Sequence, residues 1–183
     1  MKIQFFGENC FSLSDKKATV VFDPNQKCTL KNVDFVTNSG QFKKATQTLS
    51  AKKTLSLPGE FEISGVLVRG FYSRPENVVY KVTCEDVACA HFGTLEKKPS
   101  PEFFEKLGEN IDIVLLNLNE KFTPKDAKEL IETLEPRWTI IGGDQSLFPK
   151  MIEEGAKLLE ENNFSVSSTA LNEEKTEILI LST

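Results

Sequence analysis

The sequence predicts an α/β protein in which two packed sheets carry helices on the outside, and three observations lead there. Apolar residues alternate with a period near two through the first half of the 183-residue chain, and helix signals begin only after Ser100. Residues 111–118 are a nearly continuous apolar run, as expected of a strand covered on both faces. Strands first, then strands alternating with helices, is the pattern of a layered α/β fold. No internal repeat and no long linker divides the chain, so residues 1–183 are read as one domain.

Ile3 and Phe5 alternate with Lys2, Gln4 and Phe6 in the opening strand, and a second strand follows Gly7 at 10–14. Asp15-Lys16-Lys17 reads as a hairpin turn into 18–22, which stops at Asp23-Pro24 because proline has no N–H for a ladder. Residues 33–37 make a further strand and the polar residues 38–41 a loop. A Lys/Thr/Ser-rich stretch leads to a strand at 53–57. Pro58-Gly59 then turns the chain into 60–63, and Gly65 separates that piece from 66–71. Strands at 77–83 and 87–92 join through a hairpin at Cys84-Glu85-Asp86.

Ser100-Pro101 places a cap and a first-turn proline before Phe103, Phe104 and Leu107, and Gly108 ends that helix. After the 111–118 strand, Thr123-Pro124 opens a helix in which Ala127, Leu130, Ile131 and Leu134 recur at i, i+3, i+4 and i+7 until Pro136. A strand at 138–141 follows. A third helix is expected over about 150–162 on Met151, Ile152, Leu158 and Leu159, and 177–181 closes the chain as a strand.

A net charge of -5 argues against a nucleic-acid surface, which needs a basic stripe to displace counterions from phosphates. The pairs Lys43-Lys44 and Lys52-Lys53 read as solvated surface. No apolar run approaches the roughly 20 residues of a bilayer span. The first residues lack the basic, apolar and small-residue regions of a secretory signal, so a cytoplasmic location is expected. Cys10, Cys28, Cys84 and Cys89 form no CxxC pair and read as buried, reduced, small apolar residues. His91 is the single histidine, and that scarcity limits both neutral-pH proton transfer and metal binding.

Four segments in order resemble the metallo-β-lactamase fold, in particular its small zinc-dependent hydrolase branch related to ascorbate-phosphate lactonase. They are Lys2-Ile3 through Gly7-Glu8-Asn9-Cys10-Phe11 with Phe22-Asp23-Pro24; Pro58-Gly59-Glu60-Phe61-Glu62-Ile63-Ser64-Gly65-Val66; Val79-Tyr80 through Ala90-His91-Phe92-Gly93-Thr94-Leu95; and Asn110 to Leu116 with Phe122-Thr123 and the helix up to Glu135-Pro136. The resemblance implies a four-layer αββα sandwich. It also implies a cleft that in the family holds two zinc or similar divalent ions.

The ligand positions depart from that pattern. Where the family carries its histidine-x-histidine-x-aspartate-histidine motif, this chain has Asn38, Gly40, Phe42 and Lys43. Thr94 stands for the bridging aspartate, Gly143 with Gly142 for the last histidine, and Glu8 for the opening one. A catalytic zinc needs about three N, S or O ligands and an open water position, and glycine and phenylalanine offer none. An ammonium at Lys43, about 4 Å from a cation, would add roughly 4 kcal/mol of repulsion per unit charge at an effective dielectric near 20. No bound metal or other cofactor is therefore expected.

The expectation is a degenerate, metal-free member serving as a non-catalytic binding or scaffolding subunit, with a protein partner or a second copy of itself. The alternative is a hydrolase of phosphate or lactone esters, with a displaced metal site or a Cys89/His91 dyad. A third reading has a small anion in the emptied cleft near Lys43 and the amides of Gly40 and Gly143. Cys84 lies roughly 17 Å from Cys89 along five extended residues, so it does not complete a Cys89/His91 metal site. Asp23 reads as a strand terminator before proline, and Glu60 with Glu62 as one solvent-facing side of a strand.

Overall fold

The computed structural model describes residues 1–40, 49–63, 65–84, 86–166 and 176–182. The first strands, β1 (Lys2–Phe5), β2 (Phe11–Ser14) and β3 (Thr19–Phe22), form an antiparallel meander. β4 (Val33–Thr37) and β5 (Ala51–Leu55) then add in parallel. The second sheet opens with β6 (Gly59–Ile63), β7 (Val66–Arg74), β8 (Asn77–Cys84) and β9 (Val87–His91), again antiparallel. After α1 (Pro101–Leu107), β10 (Ile113–Leu118) lies parallel to β9; α2 (Pro124–Leu134) then leads to β11 (Trp138–Gly143), parallel to β10.

A short 3₁₀ turn at Gln145–Leu147 runs into α3 (Phe148–Glu153), followed by β12 (Lys157–Leu159), β13 (Asn163–Ser165) and β14 (Glu177–Leu181). The sheets are β13-β1-β2-β3-β4-β5 and β12-β14-β11-β10-β9-β8-β7-β6.

The sheets face each other through one apolar layer that includes Ile3, Phe5, Phe11, Phe22, Phe35, Val68, Tyr80, Ile113, Leu115 and Ile140. Period-two alternation supplies that layer from both sides. The opposite face of the eight-stranded sheet buries Val114, Leu116 and Ile141 under Phe103, Leu107, Ala127, Leu130, Ile131 and Met151 from the three helices. β10 is buried at every position because it feeds both layers. On the outer face of the six-stranded sheet, Cys10, Val21, Cys28, Val33 and Val36 form a smaller cluster with Phe6 and Leu30. The expected two-sheet α/β sandwich is thus present.

The helix expected over 150–162 is corrected. α3 ends at Glu153, and Gly155 takes φ +102, outside the helical region and in a conformation that favours glycine. Beyond it, Leu158 and Leu159 belong to β12, parallel to β14. Leu159 packs against the inter-sheet core while Leu158 is exposed, the alternation of a strand. The strand expected at 53–57 begins and ends two residues earlier, because Leu57 lies in the turn before β6. Among the described residues no helix is long and apolar enough to cross a membrane.

Candidate functional site

Parallel pairing brings the carboxyl ends of β3 and β4, and of β9, β10 and β11, to one edge of the sandwich. The segments after these ends are Asp23-Pro24, Asn38 to Gly40, Phe92 to Thr94, and Gly143. Asp23 and Ser39 bond directly, and Asn77 with Val78 ties the 38–40 segment to residues 92–94. Asp23 sits at φ 45, and its carboxylate accepts from Ser39 N at 2.6 Å and from Ser39 Oγ. Ser39 O accepts from Val78 N at 2.7 Å, and Gly40 makes an isolated bridge with Asn77.

Asn77 is fully buried and joins the two sheets at this edge. Its Nδ2 donates to Phe92 O and to Ser73 Oγ, each at 2.9 Å, and its Oδ1 accepts from Thr94 N at 3.0 Å. Asn9 Nδ2 donates to Thr94 Oγ1, and Arg74 Nη2 donates to Thr94 O at 3.3 Å. Gly93 (φ +63) lies against Ser39 and Asn77, and a β-carbon there would lie 2.5 Å from Asn77 Oδ1.

His91 ends β9 at 0 % exposure, its ring centroid 4.9 Å from Phe22 and 5.8 Å from Phe11. Neither imidazole nitrogen has a hydrogen-bond partner. Burial pushes its pKa down to about 3, and the Asn9 backbone offsets part of that without a hydrogen bond of ordinary geometry. Cys89 shares the inter-sheet face two residues earlier, also fully buried; burial first and the Asp112 charge second push its thiol upward. Neither member of the dyad reaches solvent.

The other sequence-selected positions fall as follows. Asn38 Nδ2 donates to Ser56 Oγ at 3.0 Å, and Glu8 is exposed in the opening turn. Phe42 and Lys43 lie outside the described residues. Gly143 takes φ +95 against the backbone of Leu118. Glu60 and Glu62 are exposed, Glu60 paired with Arg69 at 2.6 Å.

Asp23 has more partners than strand termination requires. Burial raises its pKa to about 6 against the opposing hydrogen bonds from Ser39. Ser39, Asn9 and Asn77 escaped the sequence reading. A polar residue at a strand end looks like any loop residue, and the bonds that join these segments form only in the folded chain.

Tested as a dinuclear site, the described residues of this edge do not fit. Among the described residues no group of three or more His, Cys, Asp or Glu could hold a metal ion. Both Asp23 oxygens are engaged by Ser39, and the imidazole is enclosed by phenylalanine rings.

The arrangement of sheets and loops matches known proteins. A family model for the beta-lactamase superfamily domain matches residues 2–141. The chain belongs to that superfamily. No curated protein matches it.

Among solved structures, a metallo-β-lactamase superfamily protein from Thermotoga maritima, named as a candidate zinc-dependent hydrolase, aligns with TM-score 0.83 at 24% identity. The match covers 99% of this chain and 100% of that one. A candidate metal-dependent hydrolase from Parabacteroides distasonis aligns at 0.66 and 15%, covering 98% and 91%. A metallo hydrolase from Ignicoccus hospitalis aligns at 0.62 and 13%, covering 91% and 99%. At these identities the likeness is one of fold.

Proposed function

We propose that this superfamily member is metal-free and acts as a non-catalytic binding or scaffolding subunit in the cytoplasm, with a protein partner or a second copy of the chain. The observation that carries the reading is the state of His91. The one imidazole in the chain is buried between Phe11 and Phe22 with no protein partner at either nitrogen, which supports a packing role over coordination or proton relay.

Several polar groups of the edge bond to one another, although Thr37 Oγ1 and Asn117 Oδ1 stay buried without a partner. Asp23 and Ser39, and Asn77, Thr94 and Asn9, hold the loops together by hydrogen bonds where a metal-dependent relative would use ions. A Cys89/His91 nucleophile gains no support, because a thiol pushed upward and a neutral, solvent-excluded imidazole generate no thiolate.

The test is elemental analysis of untagged protein equilibrated with zinc, manganese or iron and then passed through a desalting column. Metal far below one ion per chain is expected, and a tightly held dinuclear complement would overturn the proposal.

A further inference from the structure

Two of the four cysteines stand in a relation that apolar packing does not require. Cys10 follows the turn after β1, and Cys28 closes the loop after Asp23-Pro24; both side chains pack in one small cluster, with the Cys10 S–H directed toward the Cys28 sulfur. Asn25 fastens the two turns together. Its Nδ2 donates to Phe6 O at 3.1 Å and Gly7 O at 3.0 Å, while its own carbonyl accepts from Cys28 N at 3.1 Å. Cys10 is fixed on its side by Cys10 N to Gly7 O at 3.0 Å and Phe6 N to Cys10 O at 2.9 Å.

Both side chains are buried, yet they belong to the outer cluster of the six-stranded sheet rather than the inter-sheet core, and Cys28 is flanked by exposed Gln26, Lys27 and Thr29. Cys89, by contrast, sits in the inter-sheet core opposite Val82, and Cys84 lies opposite Val87.

We infer that Cys10 and Cys28 are a peroxide-sensitive thiol pair that closes to a disulfide. The pair is asymmetric. Donation of the Cys10 S–H to Cys28 sulfur favours a thiolate at Cys28 and holds its thiol below the usual range, while the same bond and burial push Cys10 upward. The Cys28 thiolate attacks one oxygen of hydrogen peroxide, the O–O bond breaks, and the departing hydroxide takes a proton to become water, leaving Cys28 as a sulfenic acid. Cys10 then gives up its proton as its sulfur attacks the Cys28 sulfur, and the S–O bond breaks to release a second water. Two thiols and one peroxide give one disulfide and two waters, with two electrons passing from sulfur to oxygen. The bond would tie the turn before Phe11 to the loop after Asp23, and the inference is independent of whether the cleft binds metal.

The experiment uses freshly reduced, folded protein exposed to hydrogen peroxide, quenched, unfolded, alkylated with iodoacetamide and mapped by mass spectrometry. The expected product is a Cys10–Cys28 linked peptide, an intact mass lower by two hydrogens, and reversal by dithiothreitol, with Cys84 and Cys89 alkylated. Cys28→Ser should leave Cys10 fully alkylatable, and Asn25→Ala should slow closure several-fold. Four alkylatable cysteines after peroxide, Cys28 advanced to sulfinic acid without a link, or links confined to Cys84 or Cys89 would each overturn the inference. The wild-type map decides the chemistry even if a variant fails to fold.

Discussion

Gly93 lies so close to Ser39 that residue 93 has no space for a side chain. The contact matters because Ser39 is the partner of Asp23, and the backbone on either side of Gly93 is held by Asn77 through Phe92 O and Thr94 N. A β-carbon here must displace a buried hydrogen-bonded network and accept φ +63 as well. Gly93→Ala should therefore cost about 2–4 kcal/mol, combining left-handed strain with overpacking. Urea unfolding followed by circular dichroism measures it, and a loss below about 1 kcal/mol would mean the loops part freely.

Asp23 tests the same network from its other side. Asn tolerates the left-handed conformation and keeps an acceptor for Ser39 N, so Asp23→Asn should stay within about 1 kcal/mol of wild type. Asp23→Ala strands two buried donors and should cost about 3 kcal/mol. Because the folded pKa, about 6, lies above the ordinary 3.8, the carboxyl's contribution is complete below pH 3.8 and lost as pH rises through 6. The stability of wild type relative to Asp23→Asn should accordingly fall between pH 4 and 6, as unfolding curves in matched buffers would record.

His91 acts with the opposite sign. Its folded pKa of about 3 lies below the ordinary 6.5, so the contribution is complete above pH 6.5 and lost as pH falls toward 3. Leu has similar bulk and no polar atoms to leave unpaired. At pH 7, His91→Leu should match wild type or exceed it by about 1 kcal/mol. Its advantage should grow by roughly 1 kcal/mol per pH unit between pH 6 and 4. A variant that unfolds at neutral pH would instead show that the imidazole makes a bond the protein depends on.

How far the sequence alone reached can be judged from particular residues. α2 was legible because Thr123, Pro124, Ala127, Leu130, Ile131 and Leu134 are local signals that agree, and the capping bond from Thr123 N to Asp126 Oδ2, 2.9 Å, completes them. The 150–162 helix was misread because Leu158 and Leu159 mimic a helical face, while the decisive feature is the single positive φ of Gly155. The departures from the ligand pattern at Asn38, Gly40, Thr94 and Gly143 rest on the resemblance alone. The hydrogen-bonded edge did not show, because Asp23, Ser39, Asn77 and Thr94 are far apart in sequence and meet only when the sheets close.

Chelation offers a direct contrast with metal-dependent relatives. Where ions hold loops together, their removal lowers stability by the binding free energy. Here the loops are joined by Asp23–Ser39 and Asn77–Thr94 bonds, so dialysis against EDTA should leave the thermal midpoint unchanged. A fall of several degrees, recovered on adding zinc, would contradict the metal-free reading.

Restoring a family ligand should fail for a reason visible in the backbone. The resemblance implies a histidine where this chain has Gly143, yet the φ of Gly143 is +95 and a β-carbon would lie 2.6 Å from Leu118 N and collide with Leu118 O. The obstruction is main chain, which cannot rotate aside as a side chain can. Gly155, at φ +102 with nothing within 4 Å, carries the backbone strain alone. Gly155→Ala should thus cost about 1 kcal/mol and Gly143→His about 4 kcal/mol or more, without gain of zinc binding. Parallel unfolding and elemental analysis of the two variants separate the contributions, and a stable, zinc-loaded Gly143→His protein would show that the edge can still open to receive an ion.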